Sequence, residues 1–185
     1  MRIGERIRMI REDKGIELEE LSKMTGISPS VLLQVENHME SPSLGMLLKL
    51  SRALEVPLSA FFGEESGGDF TIVRKDERKQ VARYGSSDGS FYGYTYESLG
   101  YGFSDRHMEP FIVTIEPSAS KESPSVHEGE EFIYVLEGEM EVILGEFRDI
   151  LYPGDSIYYR ASIPHLVKAH GDAPLKILAV LYGKD

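Results

Sequence analysis

Two hydrophobic rhythms divide the chain. Through Phe62, apolar side chains recur at three- and four-residue intervals, the spacing of one helix face; from Phe70 onward they alternate with polar ones, the spacing of strands. Ile3, Ile7 and Ile10 predict a first helix that ends at Lys14-Gly15. Leu18, Leu21 and Met24 predict the inner face of a second helix, closed by Thr25-Gly26. Ser28-Pro29 has the form of an N-cap followed by proline at the first helical position. It opens a third helix with Val31, Leu32 and Val35 as apolar positions and Leu33 as a further candidate. Ser41-Pro42-Ser43 predicts the cap of a fourth helix carrying Leu44, Leu47, Leu48, Leu50 and Leu54, which Val56-Pro57 breaks. Leu58 to Phe62 predicts a short fifth helix whose two phenylalanines plug the core.

The segment Gly63 to Asp69 is glycine, serine and acid, with nothing to bury. The expected organisation is therefore a helical domain over 1–63, a linker over 64–69 and a second domain over 70–185. In the second domain, short runs of Val, Ile, Tyr and Phe are separated by glycine or proline turns. They predict strands at 70–73, 79–84, 91–98, 110–116, 131–136, 139–144, 148–152, 155–160, 164–169 and 174–182. So many short strands with close turns predict one sandwich or barrel. The fold class is α+β in two domains.

Charge changes the picture. Of 20 basic and 31 acidic residues, eight and nine fall in 1–63, so the helical part is nearly neutral; the remainder carries a net −10. Such acidity argues against binding nucleic acid by bulk attraction, but not against a small module with its basic groups on one face. There is no cysteine, which excludes disulfides and thiolate metal sites. No apolar stretch is long enough to span a bilayer, and the N-terminus lacks the apolar run of a signal peptide, so a soluble cytoplasmic protein with no membrane partner is expected.

Glu19-Glu20-Leu21-Ser22, Gly26-Ile27-Ser28, Gln34-Val35-Glu36-Asn37, Pro42-Ser43 and the leucines from Leu47 to Leu54 occur in one order over residues 1 to 62. This segment resembles the five-helix, lambda-repressor-like domain of the Xre/Cro helix-turn-helix family. The resemblance implies that the third helix enters the major groove of double-stranded DNA. It also implies a contact set of Arg11, Ser28, Pro29, Ser30, Gln34, Asn37 and Ser43. Pro29, Ser30 and Gln34 would face bases, and Arg11, Asn37 and Ser43 phosphates. Gln34 is the expected direct reader, because a carboxamide both donates to and accepts from one adenine edge. The sequence departs from the family at Pro29, which offers only an apolar contact, and at Leu33, where a small polar residue is usual. Glu17 stands in place of a Ser or Thr cap, and Asn37-His38 in place of a residue-plus-glycine turn.

The second domain reads Ser125-Val-His-Glu-Gly-Glu-Glu131, then Pro153-Gly-Asp and Ile163-Pro-His165. Over roughly 108 to 182 it resembles a cupin, the double-stranded β-helix barrel. Metal-binding cupins use His-x-His, a glutamate four residues later and a late histidine. Carried over, these are Ser125, His127, Glu131 and His165, with serine at the first position. Two histidines and a carboxylate suit one divalent Fe, Mn, Ni or Zn ion. The alternative is a metal-free pocket in which His127 and His165 only hydrogen-bond. Ser125, Phe132, Tyr134 and Tyr158 are candidate pocket residues, with Tyr94 and Tyr96 as further barrel aromatics. Phe132 and Tyr134 share one face, opposite Ile133 and Val135, and alternation alone does not say which face is inner. Lys121, Arg106 and Arg160 are candidates for meeting an anionic ligand.

Together the resemblances imply a DNA-binding transcription regulator whose barrel senses a small molecule. They further imply a homodimer paired through the cupin domain on a two-fold-related operator. A metal-dependent cupin enzyme fused to a DNA-binding domain is the alternative, and a partner-binding, antitoxin-like protein a third reading.

Overall fold

The computed structural model describes residues 2–63, 69–78, 80–82, 93–103, 106–117 and 124–183. Lys121, nearly all of the expected linker and parts of the strands expected at 79–84 and 91–98 lie outside these residues. Five helices come first: α1 (Ile3–Asp13), α2 (Leu18–Thr25), α3 (Pro29–Glu36), α4 (Leu44–Ala53) and α5 (Ser59–Phe62). Each boundary has a local cause. Ser28 Oγ accepts the Val31 N–H at 3.4 Å, and Ser43 Oγ the Met46 N–H at 3.3 Å, which caps α3 and α4. Gly26 ends α2 in the left-handed region at φ 71°. His38 holds a similar conformation at φ 60°, in the position where the family turn usually has glycine. Glu17 precedes α2 without a side-chain cap bond. Ile3, Ile7, Leu21, Leu32, Val35, Leu47, Leu50 and Phe61 form the helical core.

Met24 departs from expectation: it is 51% exposed. The buried stripe of α2 runs through Leu18, Leu21 and Thr25 instead, with Thr25 Oγ1 donating to the Leu21 carbonyl. Leu33 likewise faces solvent.

The strands are β1 (Gln80–Ala82), β2 (Tyr94–Ser98), β3 (Met108–Ile115), β4 (Glu130–Glu137), β5 (Met140–Leu144), β6 (Phe147–Leu151), β7 (Ser156–Arg160), β8 (His165–Ala169) and β9 (Leu175–Tyr182). Residues 70–73, expected as a strand, are irregular and lead into a 3-10 turn at Lys75–Glu77. One sheet has the order β1-β2-β3-β9-β4-β7 and the other β6-β5-β8; every pairing is antiparallel. Register stacks the apolar faces. Ile133 pairs with Ala179 and Val135 with Ile177, while Phe111 and Val113 meet the same two residues from the other side. Gly138 makes the β4–β5 turn at φ 80°, and a β-carbon there would lie 2.6 Å from the Pro174 carbonyl oxygen, so glycine alone fits. Among the described residues no helix is long and apolar enough to cross a membrane.

The helices dock on the barrel through several buried contacts. Phe62 meets Phe111 edge-on with centroids 5.2 Å apart. Tyr96 Oη donates to the Pro42 carbonyl at 2.7 Å, and the Tyr94 N–H to Ser41 Oγ at 3.1 Å.

Within the helical domain, Arg11 grips Glu36 bidentately, Nε to Oε1 at 2.7 Å and Nη2 to Oε2 at 2.9 Å, and both side chains are buried. Arg11 Nη1 also donates to the Ile16 carbonyl at 2.9 Å, which ties α1, the α1–α2 turn and α3 together. Removing one partner strands the other charge, so Arg11→Ala or Glu36→Ala should each destabilise the chain by about 3–5 kcal/mol. Urea unfolding of each single variant and of the double variant checks this; the double should cost less than the two singles added together.

Candidate functional site

The direction of β4 builds the barrel site. Glu131, Ile133 and Val135 point inward and Tyr134 outward. Glu131 pairs with Tyr159 of β7, which is also buried and lies beside it. A backbone bridge between Ser125 and His165, with N–H···O distances of 2.7 and 2.9 Å, brings the end of the preceding loop to the start of β8. His127 is held two residues on, its N–H donating to the Ala161 carbonyl at 3.0 Å. His127 Nε2 lies 2.8 Å and His165 Nε2 3.6 Å from Glu131 Oε1. The structure thus brings His127, Glu131 and His165 together, with one ligand atom from each lying within 4.8 Å of the other two.

The hydrogen bonds behind these groups orient them. His127 Nδ1 faces the Glu128 carbonyl at 3.0 Å, and His165 Nδ1 the Ile163 carbonyl at 2.8 Å. Carbonyls accept only, so both Nδ1 atoms carry hydrogen and a neutral imidazole turns its Nε2 lone pair to the centre. A lone pair and a carboxylate oxygen 2.8 Å apart repel unless a proton or a metal ion lies between them. Donors on one face of an ion with bonds of about 2.1 Å stand roughly 3 Å apart, and the 2.8 and 3.6 Å separations from Glu131 Oε1 to the two imidazoles lie near that spacing, so the set could hold a divalent metal. Tyr159 Oη donates to Glu131 Oε2, which leaves Oε1 toward the histidines.

Electrostatics follow. Burial pushes the Glu131 carboxyl up, but hydrogen bonds from His127, His165 and Tyr159 and the charge of His165 outweigh it and bring it down to about 2. Burial lowers His165, but the Glu131 hydrogen bond and charge overcome this and raise it. Burial and the Glu131 charge push Tyr159 well above the usual phenol range, so it stays a neutral donor.

A cavity of about 70 Å³ opens over the triad. Ser125, Glu131, Ile133, Tyr159 and His165 line it, with Tyr94 and Tyr96 at the side. The expectation for Phe132, Tyr134 and Tyr158 is corrected. Since Glu131 points in, its neighbour Phe132 and the same-parity Tyr134 point out. Tyr158, opposite Phe132 in register, is 63% exposed and donates to Glu130. The inner aromatic on β7 is Tyr159, which sequence reasoning missed although the parity of Glu131 carried the signal. Ser43, Leu44 and Gly45 of α4 also line the cavity, and no sequence signal marked them.

On the helical side, Ser28, Pro29, Ser30, Gln34 and Asn37 are all solvent-exposed along α3 and its ends. Two of the expected phosphate contacts have partners within the chain. Arg11 is engaged by Glu36 inside the domain. Ser43 caps α4 and faces the barrel cavity. Arg106 pairs with Glu109 at 2.7 Å outside this cavity, and Arg160 is exposed at the end of β7.

Glu131 ties the site to acid stability. Its carboxyl is held below its ordinary 4.5 in the folded chain, so the stabilisation is complete above that value and is lost as pH falls towards about 2. In metal-free protein, Glu131→Gln should therefore lower the urea midpoint at pH 6, and the gap to the parent chain should close as pH drops below about 4. A gap that stays constant down to pH 3 would contradict this.

Residues 7–61 match the helix-turn-helix family model and residues 111–181 the cupin domain model. The chain is 25% identical over 164 residues to the HTH-type transcriptional regulator PuuR of Escherichia coli (strain K12), covering 88% of this chain and 84% of PuuR. It is 20% identical over 177 residues to SutR of the same organism, another HTH-type transcriptional regulator, covering 95% and 92%. Among solved structures, a transcriptional regulator of the same helix-turn-helix family from Vibrio cholerae superposes with a TM-score of 0.62 at 23% identity, covering 99% of this chain and 96% of that one. The Fe(II) form of HppE in complex with substrate superposes with a TM-score of 0.50 at 25% identity, covering 97% of each chain. The order of the two matched domains and the likeness along nearly the whole chain agree with the geometry: this is an Xre-type helix-turn-helix regulator with a C-terminal cupin domain.

Proposed function

We propose that this chain is a cytoplasmic, sequence-specific DNA-binding regulator in which residues 1–63 read DNA and residues 70–185, after a linker over 64–69, sense a small molecule. One observation carries the reading: a capped, solvent-facing α3 and a barrel cavity with convergent polar groups occur in one chain. Gln34 reads a base, Ser28, Pro29 and Ser30 approach the groove at the start of α3, and Asn37 meets phosphate. One such module makes few base contacts, so a homodimer on a two-fold-related operator is part of the proposal. The outward sheet face with Met108, Phe132, Tyr158 and Tyr182 supports pairing through the cupin domain. A monomeric mass in sedimentation at micromolar concentration would remove that part.

His127, Glu131 and His165 are the residues that would hold one divalent Fe, Mn, Ni or Zn ion, and such an ion would supply a Lewis-acid anchor for a ligand donor atom. Tyr159 holds Glu131 in place for this role, and the Glu128 and Ile163 carbonyls fix the two imidazoles. A second reading has a specific observation behind it. Three protein donors leave positions open for substrate, as a metal-dependent cupin enzyme requires, and the likeness to Fe(II) HppE fits that arrangement. Substrate turnover by the metal-loaded protein would decide for the enzyme; ligand-dependent DNA retardation without turnover would decide for the regulator.

Gln34→Ala should weaken binding to DNA selected from random sequence by about 1–3 kcal/mol and relax preference at one base pair. Competitive gel retardation checks it, and an equal loss on unselected DNA would refute base reading. Metal analysis of untagged protein should find about one ion per chain, lost in His127→Ala and Glu131→Ala and retained in Tyr159→Phe. Protein purified without chelator that carries no metal would leave the barrel as a plain metabolite receptor.

A further inference from the structure

The DNA-reading domain itself forms one side of the barrel mouth. Ser43, Leu44 and Gly45, the cap and first turn of α4, form one wall of the cavity whose other walls include Glu131, Tyr159 and His165. The contact is close. A β-carbon built on Gly45 would lie 2.8 Å from Ser125 Oγ, 3.0 Å from Ser125 Cβ and 3.4 Å from His127 Cδ2. A β-carbon at Gly45 would therefore force the Ser125 side chain or α4 to shift. Ser125 occupies the position where the resembling metal cupins carry a histidine, and its side chain packs against α4 at Gly45. Gly45 and Ser125 are thus matched in size, glycine against serine, at the place where the two domains close over the triad. Neighbouring contacts hold the same closure. The Tyr94 N–H donates to Ser41 Oγ, Tyr96 Oη donates to the Pro42 carbonyl, and Arg52 Nη2 reaches the Glu128 carbonyl at 3.2 Å.

The cavity of about 70 Å³ accommodates an ion and a few water-sized ligands, and it is partly open to solvent. A larger ligand that extends towards Ser43, Leu44 and Gly45 must displace α4. The α4 helix follows the recognition helix after one short loop, and Ser41 and Pro42 of that loop are themselves docked on β2. We propose that α4 is a lid on one side of the barrel cavity, that the Gly45–Ser125 contact latches it, and that a ligand extending against α4 releases the DNA-reading domain from the barrel. This rests on the sensing role proposed above and supplies its route: occupancy sets whether α3 is held at a fixed angle to the barrel or set free.

Because the chain has no cysteine, the latch can be tested by crosslinking. A disulfide needs β-carbons about 3.5–4.5 Å apart, a small opening from the docked contact. Metal-free Gly45→Cys/Ser125→Cys chain should close an intrachain disulfide under mild oxidant, seen as loss of both thiols at monomeric mass on a non-reducing gel. Persistent thiols in protein with native circular dichroism, or a crosslinked dimer, would overturn intrachain docking.

The lid role is read from Zn(II) uptake by metal-free protein. Gly45→Leu overpacks the contact and should speed uptake roughly tenfold. Gly45→Ala should speed it less, although alanine favours the helix itself, so a folding defect in α4 cannot mimic the result. Adding Ser125→Gly to Gly45→Ala should return uptake towards the parent rate; unchanged rates throughout, or no rescue, would overturn the lid. If no variant takes up Zn(II), the metal reading fails while the crosslink still decides docking. Coupling to DNA is read by retardation of selected DNA, where Gly45→Leu should shift the affinity several-fold with Gln34 untouched. An unchanged affinity would overturn the coupling.

Discussion

A carboxylate in the middle of an apolar barrel is stable only where hydrogen bonds and positive charge surround it. Glu131 sets that condition, and much of the barrel's local structure serves it. Its partners come from three separate places: His127 from the loop before β4, Tyr159 from β7 and His165 from the start of β8. They meet because β4 and β7 pair in a register that sets Glu131 beside Tyr159, and because the Ser125–His165 bridge joins the loop to β8. A one-residue slip in either place would send a partner to the outer face and leave the charge alone. The same requirement makes the triad suitable for a cation. Both imidazoles are fixed by carbonyls at Nδ1, and the carboxylate is fixed by the tyrosine at Oε2, so the three remaining donor atoms converge.

The second constraint is that the two domains share a packed boundary. Phe62 at the end of the helical domain meets Phe111 of β3, and the loop between α3 and α4 is bonded to β2. The barrel mouth that a cupin needs for its ligand is therefore the surface on which the helical domain rests. Small residues make this possible. Ser41 against Gly93 and Ser125 against Gly45 are close approaches in which larger side chains would collide. The triad, α4 and the loop that joins α3 to α4 thus meet in one packed boundary.

The helical domain was legible because its signals are local. Caps, glycine stops and three- or four-residue periodicity each act within one turn, and Ser28, Ser43 and Gly26 do what their types imply. The triad was legible through the cupin resemblance, whose motif positions fall on His127, Glu131 and His165, and the fold brings these three side chains together. The errors lie where a contact is long-range. Arg11 sits where the family meets phosphate, yet Glu36, 25 residues away, engages its guanidinium. Ser43 has the right type for a phosphate contact, but the barrel approaches it from the other domain. Phe132, Tyr134 and Tyr158 were placed by residue type, although the inward carboxylate already implied the opposite parity. The lid at Gly45 had no sequence signal, because a glycine inside a helix does not announce what packs against it.

The internal use of Arg11 bears on how this regulator holds DNA. The helical domain is nearly neutral, and its partner domain is acidic enough to repel a duplex. With one arginine committed to Glu36, fewer cations remain for phosphates, which weakens non-specific attraction and would leave more of the binding to the proposed base contacts. In the proposed two-fold arrangement, such a reader would depend on the relative position of its recognition helices more than one held by a broad basic surface. The proposed lid at the barrel mouth would act on that position, which joins weak bulk attraction and a docked reading domain in one mechanism.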